Sequence, residues 1–248
     1  MIRTDFSSDD IIRKYGVYPL LHTHVGKPQF LQFVGDVDGK HILDLGCGNG
    51  HFAHEFSQRG ADVVAVDSSP TFIAQGKERY PHLDLRVLNA AALEGIPAAA
   101  FDTIVMVMVL VNISERKQFE DIFRECKRVL KTGGELIIST VHPLAMRPFK
   151  DALREVSFAD GAHYFSPESK VMVRFLLSNL DFIDFTDTHW TLEDISRELE
   201  RNQFVITQMR EPRPTEGTEN WQYIKDALVT PHYLFIKAQS TARSPRRI

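Results

Sequence analysis

The chain has 248 residues, 43% of them apolar and 25% charged, the balance of an ordinary globule that can bury a full core without staples. Its 33 acids outnumber its 29 lysines and arginines, which argues against nucleic acid as an obligate substrate, because holding phosphates calls for a basic face. Two cysteines, Cys47 and Cys126, are too few for a disulfide framework or a zinc site and suit a reducing cytoplasm.

The opening ten residues are polar and acidic, unlike a signal peptide. From residue 41 onward, strand-like apolar runs alternate with helix-like stretches. His41–Leu45 precedes a helix over His51–Arg59, and Asp62–Val66 precedes one over Thr71–Tyr80. Asp84–Leu88 is the third strand. Phe101–Val109 is the fourth, within an apolar run (Ile104–Val111) too short to span a bilayer and better read as a buried parallel strand. A helix over Glu115–Leu130 follows, closed by Gly133-Gly134, and Glu135–Val141 is the fifth strand. The rhythm breaks from Pro143 to His189, where only Val171–Leu177 and Leu180–Phe185 look like strands. Thr191, with Asp194 three residues on, caps a helix running to about Asn202. Phe204–Met209 and Tyr233–Ala238 are the last strands, joined by a Pro- and Glu-rich loop, Glu211–Pro231, long enough for a lid. The pattern predicts an α/β fold with a doubly wound, mostly parallel seven-stranded sheet. Residues 1–240 form a single domain, 143–189 is a small inserted cap over the active site, and 241–248 is a disordered tail. Ligands of such sheets sit at the carboxyl ends of the strands, at the switch in strand order.

Residues 42–53 read Ile-Leu-Asp-Leu-Gly-Cys-Gly-Asn-Gly-His-Phe-Ala. Glycines at 46, 48 and 50 let the backbone turn sharply and approach a ligand closely. The spacing is G-x-G-x-G. The dinucleotide fingerprint G-x-G-x-x-G needs a glycine at 51, which is His, and this disfavours a nicotinamide dehydrogenase. Asp67 ends the second strand, 21 residues after Gly46, where a carboxylate can accept from both hydroxyls of a ribose. With Asp44 before the turn, the series resembles motif I of the class I S-adenosylmethionine (SAM)-dependent methyltransferases. Arg128-Val-Leu-Lys-Thr-Gly-Gly resembles the turn that precedes strand five in that superfamily. His142-Pro143, His189-Trp190-Thr191 and Glu211-Pro212-Arg213-Pro214 resemble a small-molecule group related to ubiquinone biosynthesis, with Trp190 where relatives carry Arg.

The resemblance implies SAM as cofactor, with S-adenosylhomocysteine as product. It implies a cofactor site built from Asp44, Gly46, Cys47, Gly48, Asn49, Asp67 and Ser68. Asn89 and Ala90 would lie near adenine, the Asn replacing a more usual Asp. Met106 would lie beside the amino-acid part of SAM, through its backbone carbonyl, and Tyr15 and Tyr18 would sit on an N-terminal covering helix. The sulfonium methyl is already activated, so transfer mainly needs a nucleophile held in line with water excluded. A hydroxyl or ammonium acceptor benefits from a general base, for which His142 at a strand's carboxyl end is the first candidate. His189, Tyr15 and Tyr164 come next. The aromatic content of the insertion (Phe149, Phe158, Tyr164, Phe165, Phe175, Phe182, Phe185) suggests a partly apolar small-molecule acceptor. A macromolecular substrate and a non-catalytic SAM-binding role are the alternatives. The pairs His22-x-His24 and His51-x-x-His54 lack supporting acids or cysteines, so no metal is expected.

Overall fold

The structure, a computed structural model, describes Pro19 and residues 21–146, 148–150, 154–158, 162–177, 179–217 and 230–242. The predicted alternation is present. Strands β1 (His41–Leu45), β2 (Asp62–Asp67), β3 (Asp84–Val87), β4 (Phe101–Val107) and β5 (Leu130–Val141) are all parallel, and they are joined by β10 (Phe204–Arg210) and β11 (Tyr233–Ser240). The order is β10-β11-β5-β4-β1-β2-β3, and β11 alone runs against its neighbours. The chain winds outward from β1 to β3, then returns to lay β4 on the other side of β1. The carboxyl ends of β1 and β4 therefore flank the switch point.

Local sequence explains each element. Four of the five β1 residues are buried, as expected of a strand covered on both faces. Helices α1 (Lys27–Val34, following one π-helical turn, His22–Gly26), α2 (His51–Ser57), α3 (Pro70–Arg79) and α4 (Arg116–Val129) cover those faces. On α4 the buried residues Phe119, Ile122, Phe123, Cys126 and Val129 form the stripe that a 3.6-residue period demands. Cys126 is thus a core residue, its thiol pushed up to about 12 by burial and then by Glu125. Helix α5 (Leu192–Arg201) begins with the predicted capping box: the Thr191 hydroxyl accepts from the Asp194 amide while the Asp194 carboxylate accepts from the Thr191 amide. Replacing Thr191 by Ala should cost about 1 kcal/mol, read as a lowered urea midpoint with an unchanged slope.

The predicted end of α4 is wrong. Gly133-Gly134 do not close α4, which ends at Val129; β5 begins at once. Leu130 pairs with Phe101 and Glu135 with Thr103, so the glycines sit in a bulge of β5. Gly133 has φ +82°, and a Cβ on Gly134 would lie 2.9 Å from the Asp102 carbonyl oxygen.

The insertion is more ordered than its sequence suggested. β6 (Phe149–Lys150), β7 (Arg154–Phe158), β8 (Lys170–Leu176) and β9 (Phe182–Thr188) make a four-stranded antiparallel sheet. Val156, Val171 and Val173 pack from it onto Val111, Val141 and Met146, so it sits over the carboxyl ends of β4 and β5. On the outer face Met172 is exposed and Arg174 pairs with Asp184. The sequence missed β6 and β7, and β9 begins two residues later than expected and runs three further.

Trp190 is buried in the main core. Its ring stacks on Phe119 with centroids 4.0 Å apart, and the Arg116 guanidinium lies over the ring, 4.6 Å from its centroid. Its indole N–H donates to the Leu110 and Ile113 carbonyls, both at 3.1 Å. The Trp thus fixes the 3-10 turn Leu110–Asn112 that follows β4. Among the described residues no helix is long and apolar enough to cross a membrane. Residues 243–248 of the predicted tail and 218–229 of the predicted lid lie outside the described residues.

Candidate functional site

Two adjoining cavities open at the switch point, sharing Gly46, Gly48, Val107, Met108 and Asn112 as a common wall. The loop after β1 forms their floor. Gly46, at φ +75°, has no room for a side chain, because a Cβ there would meet Val109 Cγ2 at 2.4 Å. Gly48, at φ +56°, has open space where its side chain would be. The loop is tied to β2: the Gly46 and Cys47 amides donate to the Val66 carbonyl, and the Gly48 amide donates to Asp67 Oδ2 at 2.9 Å. Asp67 Oδ1 accepts from the Ser69 amide at 2.8 Å. Burial raises the Asp67 pKa, opposed by these amide bonds. Each carboxylate oxygen keeps a lone pair for a further donor.

The first cavity is lined by Asp67, Ser68, Phe72, Asn89 and Ala90, together with Gln118 and Lys170. The Asn89 side-chain oxygen accepts from the Ala91 amide at 3.0 Å, closing an Asx turn. The expected acceptor for an adenine amino group is thus fixed by the turn and keeps a second lone pair, and Asn89 and Ala90 both line the cavity.

The second cavity is lined by Asp44, Cys47, Asn49, His22, Phe52 and Tyr233 from the main domain. Phe175, Ile183, Phe185 and Asp187 line it from the inserted sheet. Asp44 is buried, and its Oδ2 has no hydrogen-bond partner. Burial, reinforced by the Asp67 charge and opposed by the Ala53 amide, pushes its carboxyl up to about 7. His22 and His51 are both lowered to about 4, chiefly by burial, and so are neutral at physiological pH. Met108 carries the wall in a left-handed conformation, φ +57°, rare for a non-glycine residue. Its amide donates to the Ser139 carbonyl and its carbonyl accepts from Asn112 Nδ2.

Several expected site residues lie elsewhere. Met106 is fully buried in the core and lines neither cavity, because strand alternation turns it away; Val107 and Met108 form the wall instead. His142 also lines neither. Its Nδ1 accepts from the Leu144 amide at 3.1 Å, so the proton is on Nε2, which faces Glu211 Oε1 at 3.0 Å. It is a buried cap of the turn after β5. Burial lowers its pKa against the opposing pull of Glu211. His142→Ala should cost about 1–2 kcal/mol of stability, seen in denaturant melts, and leave S-adenosylhomocysteine affinity within about twofold. His189 is fully buried, donates from Nε2 to the Tyr164 carbonyl at 2.7 Å, and packs against Phe158 and Tyr164. It too lines neither cavity, nor does Tyr164, whose hydroxyl accepts from the Leu192 amide at 3.4 Å. Tyr15 and Tyr18 lie outside the described residues, as does the side chain of Phe149. Of the other aromatics in the insertion, Phe175 and Phe185 line the second cavity, whereas Phe165 and Phe182 are exposed.

Sequence reasoning missed His22, Met108, Asn112 and Asp187. Asp187 had a readable signal: Ile183, Phe185 and Asp187 alternate along β9 and share the face turned to the cavity.

Comparison with known proteins agrees with this geometry. Residues 42–134 match the family described as "Methyltransferase domain". A demethylmenaquinone methyltransferase of Renibacterium salmoninarum is 31% identical over 153 residues, 59% of this chain and 62% of that protein. A ubiquinone biosynthesis O-methyltransferase of Xanthomonas oryzae is 30% identical over 126 residues, covering 48% and 52% of the two chains. The matched part spans about half the length of such curated relatives. The crystal structure of a SAM-dependent methyltransferase from Mesorhizobium loti superposes with a TM-score of 0.66 at 24% identity, over 86% of this chain and 96% of that one. Strand order and these likenesses agree on the fold: residues 42–134 are similar to a methyltransferase domain, and the chain folds like a solved SAM-dependent methyltransferase.

Proposed function

We propose that the chain is a SAM-dependent methyltransferase whose acceptor is a small, largely apolar molecule. The observation that carries this reading is the lock between Gly48 and Asp67, which holds a side-chain-free loop beside a buried carboxylate at the switch point. The site fits the cofactor in two further respects. Asp44 aims a buried, unpartnered oxygen into the second cavity, where the ammonium of an amino-acid tail would satisfy it. Asp67 has lone pairs left for ribose hydroxyls, and Ser68, Asn89 and Ala90 extend its cavity toward a base.

In this reading SAM supplies an activated methyl group. Asp67 and the Gly46–Asn49 loop bind and orient its nucleoside and amino-acid parts. Phe175, Ile183 and Phe185 exclude water from the acceptor side. The inserted sheet over that cavity favours a small acceptor over a macromolecule, as does the likeness to a demethylmenaquinone methyltransferase and a ubiquinone biosynthesis O-methyltransferase. Calorimetric titration with S-adenosylhomocysteine tests the reading. We expect saturable binding with one site per chain, and no binding at millimolar ligand would end it.

A further inference from the structure

We propose that Asp187 is the residue that holds the acceptor and takes its proton, and that the acceptor is an amine on an apolar, ring-bearing body. The inference rests on the methyl-transfer reading of the site and deepens it.

Asp187 is only 6% exposed, yet its carboxyl group has no hydrogen bond or ion pair with any described residue. A buried carboxylate without a partner is costly, and one that lines a cavity is set to receive a donor from whatever fills it. It lies on the acceptor side, on the inserted sheet, beyond the loop that would hold the cofactor.

The cavity's charge pattern selects the donor. Among the described residues its other titratable groups are Asp44, His22, His51, Cys47 and Tyr233. The two histidines are neutral, and burial pushes the Cys47 thiol and the Tyr233 phenol up, so both stay protonated. Arg154 on β7 stands near His232 and Tyr233, and Lys170 on β8 donates to Thr188 and faces the first cavity. Among the described residues no cationic side chain lines the second cavity, so an anionic acceptor would meet no compensating charge from them. A cation is favoured instead, both by the carboxylates and by the faces of Phe52, Phe175, Phe185 and Tyr233. Burial pushes Asp187 up to about 7, which suits a group that must accept a proton near neutrality and release it again.

The step balances. The acceptor nitrogen gives up a proton to an Asp187 oxygen and gains the methyl carbon through its lone pair. The electron pair of the broken methyl–sulfur bond stays on sulfur, and Asp187 later yields its proton to solvent.

The test uses the full chain saturated with S-adenosylhomocysteine and two probes of one shape and opposite charge, benzylamine and benzoate. Benzylamine should bind at least about tenfold more tightly than benzoate, and in Asp187→Asn the ratio should fall to within about threefold, with S-adenosylhomocysteine affinity within about twofold of wild type. A benzoate preference, or a ratio that survives the substitution, overturns the proposal. Failure of the wild-type chain to bind S-adenosylhomocysteine would instead strike the parent reading. If the variant does not fold, carbon NMR of the wild-type Asp187 carboxyl decides: its titration midpoint should drop when benzylamine is added, and an unmoved midpoint counts against the proposal.

Discussion

Asp67→Ala should weaken S-adenosylhomocysteine binding by about 100-fold or more, about 3 kcal/mol, in equilibrium titration. Two losses combine. The ribose hydroxyls lose a charged acceptor, a bond worth about 1.5–3 kcal/mol where water is excluded. The loop also loses its tether, because the Gly48 and Ser69 amides each donate to one carboxylate oxygen. An untethered loop must be ordered by the ligand, at the ligand's cost. Asp67→Asn separates the two effects. A side-chain amide has only one acceptor oxygen, so it can keep one tether and not both. We expect it to fall between wild type and Ala, at about tenfold. Ala binding as tightly as wild type would remove the carboxylate from the ligand and with it the assignment of the first cavity.

The sequence made the floor of this site legible because glycine and aspartate there serve backbone geometry. An apolar strand running into Gly-x-Gly-x-Gly allows few conformations, and a strand-end carboxylate 21 residues on has one neighbour to reach. The parallel strands were equally plain, since burial on both faces makes them continuous apolar runs. The roof was harder to read. β7 is Arg-Glu-Val-Ser-Phe, in which the charged first residue, Arg154, is buried, so its apolar alternation is masked. Its partner in the sheet lies across a long connection that local pattern does not encode.

His142 and His189 lie outside both cavities for a related reason. Position after a strand's carboxyl end says that a side chain is near the site, not which way it points. His142 turns into the β5–β11 side, where its amide donates to the His232 carbonyl and its ring to Glu211. Trp190 shows the same limit from the other side. It reads as a departure from a motif, yet two carbonyls, a stacked Phe and an overlying Arg explain it as the clamp on the turn after β4. Met106 differs from its neighbours Val107 and Met108 only by the side of the strand it occupies, and a one-residue error in phase exchanges core for site.

Asp187→Asn should make the ligand-free protein more stable near neutral pH, by an amount of the order of 4 kcal/mol at most and about 10 °C in melting temperature. The sign follows from proton linkage. In the unfolded chain Asp187 ionises near its ordinary value of 3.8, whereas burial in the folded state raises it to about 7. Between those values the folded chain binds more protons than the unfolded one, so stability falls as pH rises through this window. Asn is uncharged throughout and escapes the penalty. The melting-temperature difference between variant and wild type should therefore be near zero at pH about 4, grow through pH about 5–6, and level off above pH about 7. The wild-type profile alone would not reveal this. His22, His51 and His232 are lowered to about 4, 4 and 3 by burial, and they lose stability in the opposite direction, as pH falls below the ordinary histidine value. Asp44, also raised to about 7, adds to the Asp187 trend. The difference between wild type and a single Asn variant cancels these shared terms. A packing residue replaced by a near-isostere would lose stability or keep it at every pH. A group kept charged and unpaired for a ligand gains stability when neutralised, and only where it would have ionised. A flat difference across the pH range would show that Asp187 is solvated or partnered in solution, and its place in the acceptor cavity would then carry no chemical role.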